Sequence, residues 1–200
     1  MPPRTREHIL NETEIAHWRT GLPQFDVDNE LVALAVIAAF MKPISWLDVG
    51  CGTGQIVKTA LLFDIDAFGV DQIQEDSRCF KYADLTQPLD LGRQFQLVSC
   101  IEMVEHLPEE YESVICDTLA RHVTPGGILI LTSALPGQDG YNHFNCQEKS
   151  YWRDRLQSRG MILNHAYTER LEIMWKHTHS TLNHLHKNVQ VFSQPGAKSR

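Results

Sequence analysis

The sequence predicts a single doubly wound α/β domain built on a mostly parallel sheet of seven strands. Three observations predict it. Short apolar runs alternate with helical stretches along the chain, the pattern that lays helices on both faces of a parallel sheet. Residues 95–101 are almost continuously apolar, as in a strand buried on both faces. A glycine-rich turn, Gly50-Cys51-Gly52-Thr53-Gly54, follows the first apolar run and opens helical sequence. Open α/β sheets hold nucleotides at that place.

The elements follow in order. Residues 1–27 are polar and are expected to form a helical extension, with a helix around 11–20. Asp28 is placed to cap a helix running to Met41, apolar nearly all round and therefore buried, and Pro43 ends it. Residues 45–49 read as a strand broken at Gly50, and 55–63 as a helix. Strands are expected over 66–70, ending at Asp71, then over 80–83 and 95–101. Only residues 72–79 separate the second and third strands. Parallel crossovers usually need a dozen or more residues, so a turn is expected there instead of a full helix.

Pro108 suits the first position of a helix reaching His122. Glu109, Glu110 and Glu112 complement its positive end, and Arg121 and His122 its negative end. Gly126-Gly127 lead into a fifth strand over 128–133, and 148–159 is helical. Residues 161–173 and 189–192 are expected as the last two strands, with a His-rich insertion over 174–187. No Pro/Gly/Ser linker divides residues 28–200.

Composition bounds the function. The 200 residues are 42% hydrophobic and 22% charged, as in ordinary globular proteins. A net charge of −7 is not the basic footprint of a nucleic-acid binder. The five cysteines are odd in number and contain no C-x-x-C pair, which favours reduced thiols in the cytoplasm. The N-terminus lacks the apolar core of a signal peptide. The longest apolar run, 31–41, is too short to span a bilayer.

The glycine turn selects a cofactor class. Asp71 follows Gly50 by about 20 residues, the distance at which an acid accepts from ribose hydroxyls. The phosphate-cradling string G-x-x-x-x-G-K-[ST] is absent. A dinucleotide fingerprint fails because its third glycine falls on Gln55 or Val57. The pattern present is D-x-G-x-G-x-G, with Asp48 just before the turn. A cofactor without phosphate and with a cationic centre fits it.

With these residues the chain resembles the class I S-adenosylmethionine-dependent methyltransferases, which have a Rossmann-like fold. Leu47–Gly54 is similar to their first motif, Gly69-Val70-Asp71 to the second and Ala83-Asp84-Leu85 to the third. The segment from Cys100 to Pro108, with its Glu102-x-x-Glu105-His106 string, resembles the post-strand-four motif of small-molecule enzymes, including the ubiquinone-biosynthesis O-methyltransferases. Residues 136–145 resemble a subgroup of short bacterial and phage methyltransferases. The resemblance spans roughly 44–135 and implies roles for particular residues. Gly50, Cys51, Gly52 and Gly54 would wrap the methionine and ribose. Asp71 would hold the ribose hydroxyls and Gln72 would flank the adenine. Asp84 and the Leu85 N–H would meet the adenine edge. Ile101 would pack on the cofactor, Glu102 would line its pocket, and Asp48, with its negative charge, would join the cofactor-binding residues.

The cofactor is already activated for methyl transfer, so the protein supplies binding, orientation and a base for a hydroxyl acceptor. His143, in the polar loop after the fifth strand, and His106, after the fourth, are the candidate bases, with Glu105 beside them. Tyr141 and Trp152 are candidate acceptor-wall residues, core packing being the other reading for Trp152. Glu102, Glu105 and His106, joined by His143, can also be read as ligands of a divalent metal. Some methyltransferases with an E-x-x-E-H string use one. The reading taken is no metal, with Glu105 at the next helix and Glu102 in the cofactor pocket. His165, His177, His179, His184 and His186 read as a solvated insertion near the substrate mouth. The expected function is methyl transfer to an oxygen or nitrogen of a small-molecule or glycan-like acceptor. The alternatives are an RNA-terminal ribose methyltransferase and a non-catalytic cofactor-binding module.

Overall fold

The computed structural model describes residues 23–40, 42–138, 140–178 and 183–196. The helix expected around 11–20 lies outside them. The chain runs α1 (Pro23–Ala39), β1 (Ser45–Val49), α2 (Gln55–Leu62), β2 (Asp66–Asp71), β3 (Phe80–Tyr82) and β4 (Phe95–Cys100). Two 3₁₀ turns follow, Val104–His106 and Glu109–Tyr111, then α3 (Glu112–Arg121) and β5 (Val123–Leu131). The remaining elements are α4 (Lys149–Gln157), β6 (Ile162–Leu163), α5 (His165–Thr178), α6 (Leu185–Asn188) and β7 (Gln190–Ser193).

The sheet has seven strands in the order β3-β2-β1-β4-β5-β7-β6. The first five are parallel, and β7 runs antiparallel to both β5 and β6. Strand alternation divides the core into two layers. Trp46, Leu97, Ile130 and Val191 face one side with Val32, Val36 and Ala60 of α1 and α2 and with Leu171 and Trp175 of α5. Leu47, Val98, Leu129, Leu131 and Phe192 face the other, against Ile115, Leu119, Trp152 and Leu156 of α3 and α4.

The connection from β2 to β3 contains no helix, as the short spacing predicts. It is held by Ala83 N–H to the Asp71 carbonyl (3.1 Å) and Tyr82 N–H to Asp76 Oδ1 (2.8 Å). A break in register between β4 and β5 accommodates Pro125-Gly126-Gly127, so β5 starts five residues before the expected strand.

Three expectations are corrected. The first helix begins at Pro23, not Asp28, because proline is tolerated in a helix's first turn. The expected boundary at 27/28 therefore falls inside α1, which also leaves Val27 and Leu34 partly in solvent. The helix at Pro108 is delayed: Pro108 is extended, a 3₁₀ turn follows, and α3 starts at Glu112. Most consequential, 161–173 is not a strand. Only Ile162 and Leu163 pair with β7. Asn164 Oδ1 then accepts the Tyr167 N–H at 3.0 Å and starts α5. Leu171 and Trp175, four apart, are buried while Ile173 is exposed, a helical period. The expected insertion over 174–187 thus begins within a packed helix.

Among the described residues no helix is long and apolar enough to cross a membrane. All five cysteines are free thiols.

Candidate active site

Strand order reverses between β1 and β4, and the loops leaving these strands part there to open a cleft at their carboxyl ends. The turn after β1 takes its shape from glycine. Gly50, Gly52 and Gly54 have φ of 78°, 51° and 78°, values that L side chains rarely adopt. A Cβ on Gly50 would also overlap the Met103 side chain, and one on Gly54 the Phe80 ring. The Gly50 and Cys51 N–H groups both donate to the Val70 carbonyl, at 2.9 and 3.2 Å, tying the turn to β2. Thr53 Oγ1 donates to Asp26 Oδ1 at 2.7 Å, tying it to α1.

Asp71 braces the same turn. Its Oδ2 accepts the Gly52 N–H (2.9 Å) and its Oδ1 the Ile73 N–H (3.0 Å). Burial raises its pKa, and these donors oppose the rise. Asp84 Oδ1 accepts from Thr86 N–H and Thr86 Oγ1, which fixes the carboxylate at the cleft.

Asp48 lies behind the turn, 2% exposed. Ser99 Oγ donates to its Oδ1 at 2.6 Å, and Trp46 Nε1 donates to Ser99 Oγ at 2.7 Å. Burial, offset by the Ser99 bond and reinforced by the Asp71 charge, pushes the Asp48 pKa up to about 7.

The loop after β4 supplies the other end of the cleft. Glu102 has φ 48°, and its N–H donates to Thr132 Oγ1 at 2.8 Å. Glu105 is fully buried in the first 3₁₀ turn. Neither of its carboxylate oxygens has a hydrogen-bond partner of good geometry. Burial first, and the neighbouring Glu102 charge second, push its pKa to about 9. Its backbone carbonyl accepts the N–H groups of Phe144 and Asn145, at 2.8 and 3.0 Å, which clamps the loop after β5 over His106.

His106 Nδ1 stands 3.2 Å from the Asn142 carbonyl. A carbonyl only accepts, so Nδ1 carries the proton. Burial, with His143 adding to it, lowers the His106 pKa to about 4, and the ring is neutral at pH 7. The His143 ring meets it edge to face, centroids 4.9 Å apart. His143 Nδ1 lies 3.1 Å from the Gln138 carbonyl.

The cleft brings together Gly50, Gly52, Asp71, Gln72, Asp84, Leu85, Glu102 and His106 of the residues expected in the site. Asp48, Cys51, Gly54, Ile101, Glu105 and His143 are not part of the cleft's lining. Trp152, offered as an acceptor wall, is core: it is 1% exposed, and its Nε1 donates to Ser133 Oγ at 3.0 Å. Tyr141 is exposed outside the cleft lining. The cleft adds Met103, Leu107, Pro108, Asn142 and Phe144. All five lie within or beside the strings quoted for the loops after the fourth and fifth strands, so proximity to His106 and His143 was the available signal. Of the His-rich positions, His165 opens α5, His177 falls in its last turn, His184 caps α6 and His186 lies within it. His179 lies outside the described residues.

A doubly wound sheet with a glycine turn and two acids at its switch point defines a nucleotide-cofactor domain of the methyltransferase type. The chain belongs to the methyltransferase-domain family, whose profile matches residues 25–190, and to the class I S-adenosylmethionine-dependent enzymes within it. Its curated relatives include the ubiquinone biosynthesis O-methyltransferase of Chromobacterium violaceum, 33% identical over 99 residues, covering 40% of each chain. That of Psychrobacter cryohalolentis is 28% identical over 103 residues, covering 44% of this chain and 39% of the relative. The matches thus span well under half of those proteins. Among solved structures, a sugar N-methyltransferase from Streptoalloteichus superposes with TM-score 0.60 at 16% identity, covering 84% of this chain and 86% of that one. The magnesium protoporphyrin IX methyltransferase of Synechocystis, with bound S-adenosylhomocysteine, gives 0.61 at 17%, covering 94% and 96%. These likenesses are of fold.

Proposed function

We propose that the protein transfers a methyl group from S-adenosylmethionine to an oxygen or nitrogen of a small-molecule or glycan-like acceptor, in the cytoplasm. One observation carries this: a single cleft runs from Asp71 and Asp84 to His106, Asn142 and Phe144 without interruption. Relatives named for O-methylation and fold neighbours named for N-methylation of sugars support both acceptor atoms. Free cysteines suit a reducing compartment. The net charge of −7 weighs against RNA.

When bound, S-adenosylmethionine supplies a methyl group activated on a sulfonium. Asp71, Gln72, Asp84 and Leu85 hold the adenosine end, and Gly50 and Gly52 let backbone approach it closely. Met103, Leu107, Pro108 and Phe144 give the acceptor an apolar wall. His106, neutral at pH 7 and lining the cleft, accepts the proton that the acceptor loses. A pKa near 4 makes it a ready but weak base, so its share is expected at the low end of general-base catalysis, about 10²-fold. His143 packs behind His106 and fixes its ring. The test is incubation with isotopically labelled cofactor and metabolite pools, with mass detection of product. No labelled product, together with no binding of S-adenosylhomocysteine, refutes the proposal.

A second reading has one observation in its favour. One ligand atom from each of Glu105, His106 and His143 falls within a 4.8 Å cluster, and the buried Glu105 carboxyl there has no hydrogen-bond partner of good geometry. A carboxylate with two imidazoles suits a divalent cation, which would lower the pKa of an acceptor hydroxyl. Glu105, His106 and His143 would hold it. Calorimetric titration of chelator-treated protein with Mg²⁺ and Zn²⁺, repeated on His143→Ala, decides: no metal-dependent heat in the wild type removes this reading.

A further inference from the structure

Glu102 is fixed by a residue from the far end of the chain. Asn188 closes α6 immediately before β7 and is 3% exposed. Its Nδ2 donates to both carboxylate oxygens of Glu102, at 3.1 and 3.2 Å. Glu102 itself holds a left-handed backbone conformation, which a non-glycine residue keeps only where its surroundings over-determine it. Those surroundings are Thr132, buried after β5, on its N–H and Asn188 on its carboxylate. One acidic group is therefore held from β4, from the end of β5 and from α6. It lines the cleft at the end shared with His106 and Gly50, away from Asp84.

The Asn188 amide is not there to fill space. Its Oδ1 has no hydrogen-bond partner in a buried site, and leaving a buried polar atom unpaired costs free energy that an apolar side chain of the same size would avoid. The amide's one interaction of consequence is with Glu102. The adenosine end of the cleft already has Asp71 and Asp84. The charge left for Glu102 to meet is the α-ammonium group at the amino-acid end of S-adenosylmethionine.

We propose that Asn188 is a positioning residue for cofactor binding: acting through Glu102, it aims that carboxylate at the cationic end of S-adenosylmethionine. This rests on the cofactor occupying the cleft as proposed above. It also gives α6 a part in the site, as the element that delivers Asn188.

The test is calorimetric titration with S-adenosylhomocysteine, which keeps the ammonium group and lacks the reactive methyl. Wild type, Glu102→Gln, Asn188→Leu, Asn188→Asp and the two double variants are compared, with melting curves to confirm folding. Asn188→Asp is isosteric and serves if Asn188→Leu does not fold. In the Glu102 background, each Asn188 change is expected to weaken binding at least about tenfold, the scale of a hydrogen bond to a charged group. In the Glu102→Gln background, Asn188→Leu should change it less than about twofold, because the partner it acts through has lost its charge. An equal loss in both backgrounds makes Asn188 a packing residue and overturns the proposal, as does unchanged binding in the single variants. Absence of binding by the wild type instead refutes the cofactor reading itself.

Discussion

Asp71, the residue proposed to hold the cofactor's ribose, also braces the loop beside it. Its two oxygens accept from Gly52 and Ile73, and the residue lines the cleft. Asp71→Ala is expected to weaken S-adenosylhomocysteine binding by roughly 10²-fold, the upper end of what one lost hydrogen bond to a charged group costs, because the turn loosens as well. Calorimetry reads it. His106→Gln separates binding from chemistry: kcat should fall about 10²-fold with affinity for S-adenosylhomocysteine little changed. Asp48 predicts a pH dependence. Its folded pKa of about 7 exceeds the ordinary 3.8, so the folded state holds the proton more tightly. The stability this contributes is fully present below pH 3.8 and is lost as pH rises toward 7. Over that window wild-type Tm should fall by roughly 3–5 °C per pH unit on this account. In Asp48→Asn that part of the slope vanishes, and a parallel pH profile of the two proteins would contradict the assignment.

The helix α5 shows where element prediction failed and why. Over 161–173 the apolar residues Met161, Ile162, Leu163, Leu171 and Ile173 invite a long strand. Asn164 stops it after two paired residues by capping the next helix. In a strand Leu171 and Ile173 would share a face, yet Leu171 is wholly buried and Ile173 is 54% exposed. Leu171→Ala should therefore cost about 2–5 kcal/mol, and Ile173→Ala less than about 1 kcal/mol. Urea unfolding of the two variants checks it; equal losses would contradict the helix. The early strands, by contrast, were legible nearly to the residue. Residues 45–49 and 66–71 are bounded by Pro43, Gly50 and the acids that end them, so local chemistry and tertiary structure agree.

At the scale of the molecule, the doubly wound architecture and the part of the cleft lined by Gly50, Gly52 and Asp71 could be read from spacing: a glycine turn, an acid after the next strand, and a connection too short for a helix. What could not be read was depth and distance. Asp48 and Cys51 belong to the turn's sequence but are buried: strand alternation sends the Asp48 side chain into the core, and Cys51 packs over Gly69 of β2. His143 sits in the expected loop, yet the hydrogen bonds from Phe144 and Asn145 to Glu105 turn it behind His106. Asn188 lies 86 residues from Glu102, and no local pattern announces a contact at that range.

The position of β7 has a consequence for how the protein is made. It leaves the ribosome after β6, yet it inserts between β5 and β6. Until it arrives, β5 presents Ile128–Leu131 as a bare apolar edge, the kind of edge that invites association between nascent chains. A chain cut after residue 183 should accordingly be insoluble in sedimentation assays, while the same chain mixed during refolding with a 184–200 peptide should regain solubility.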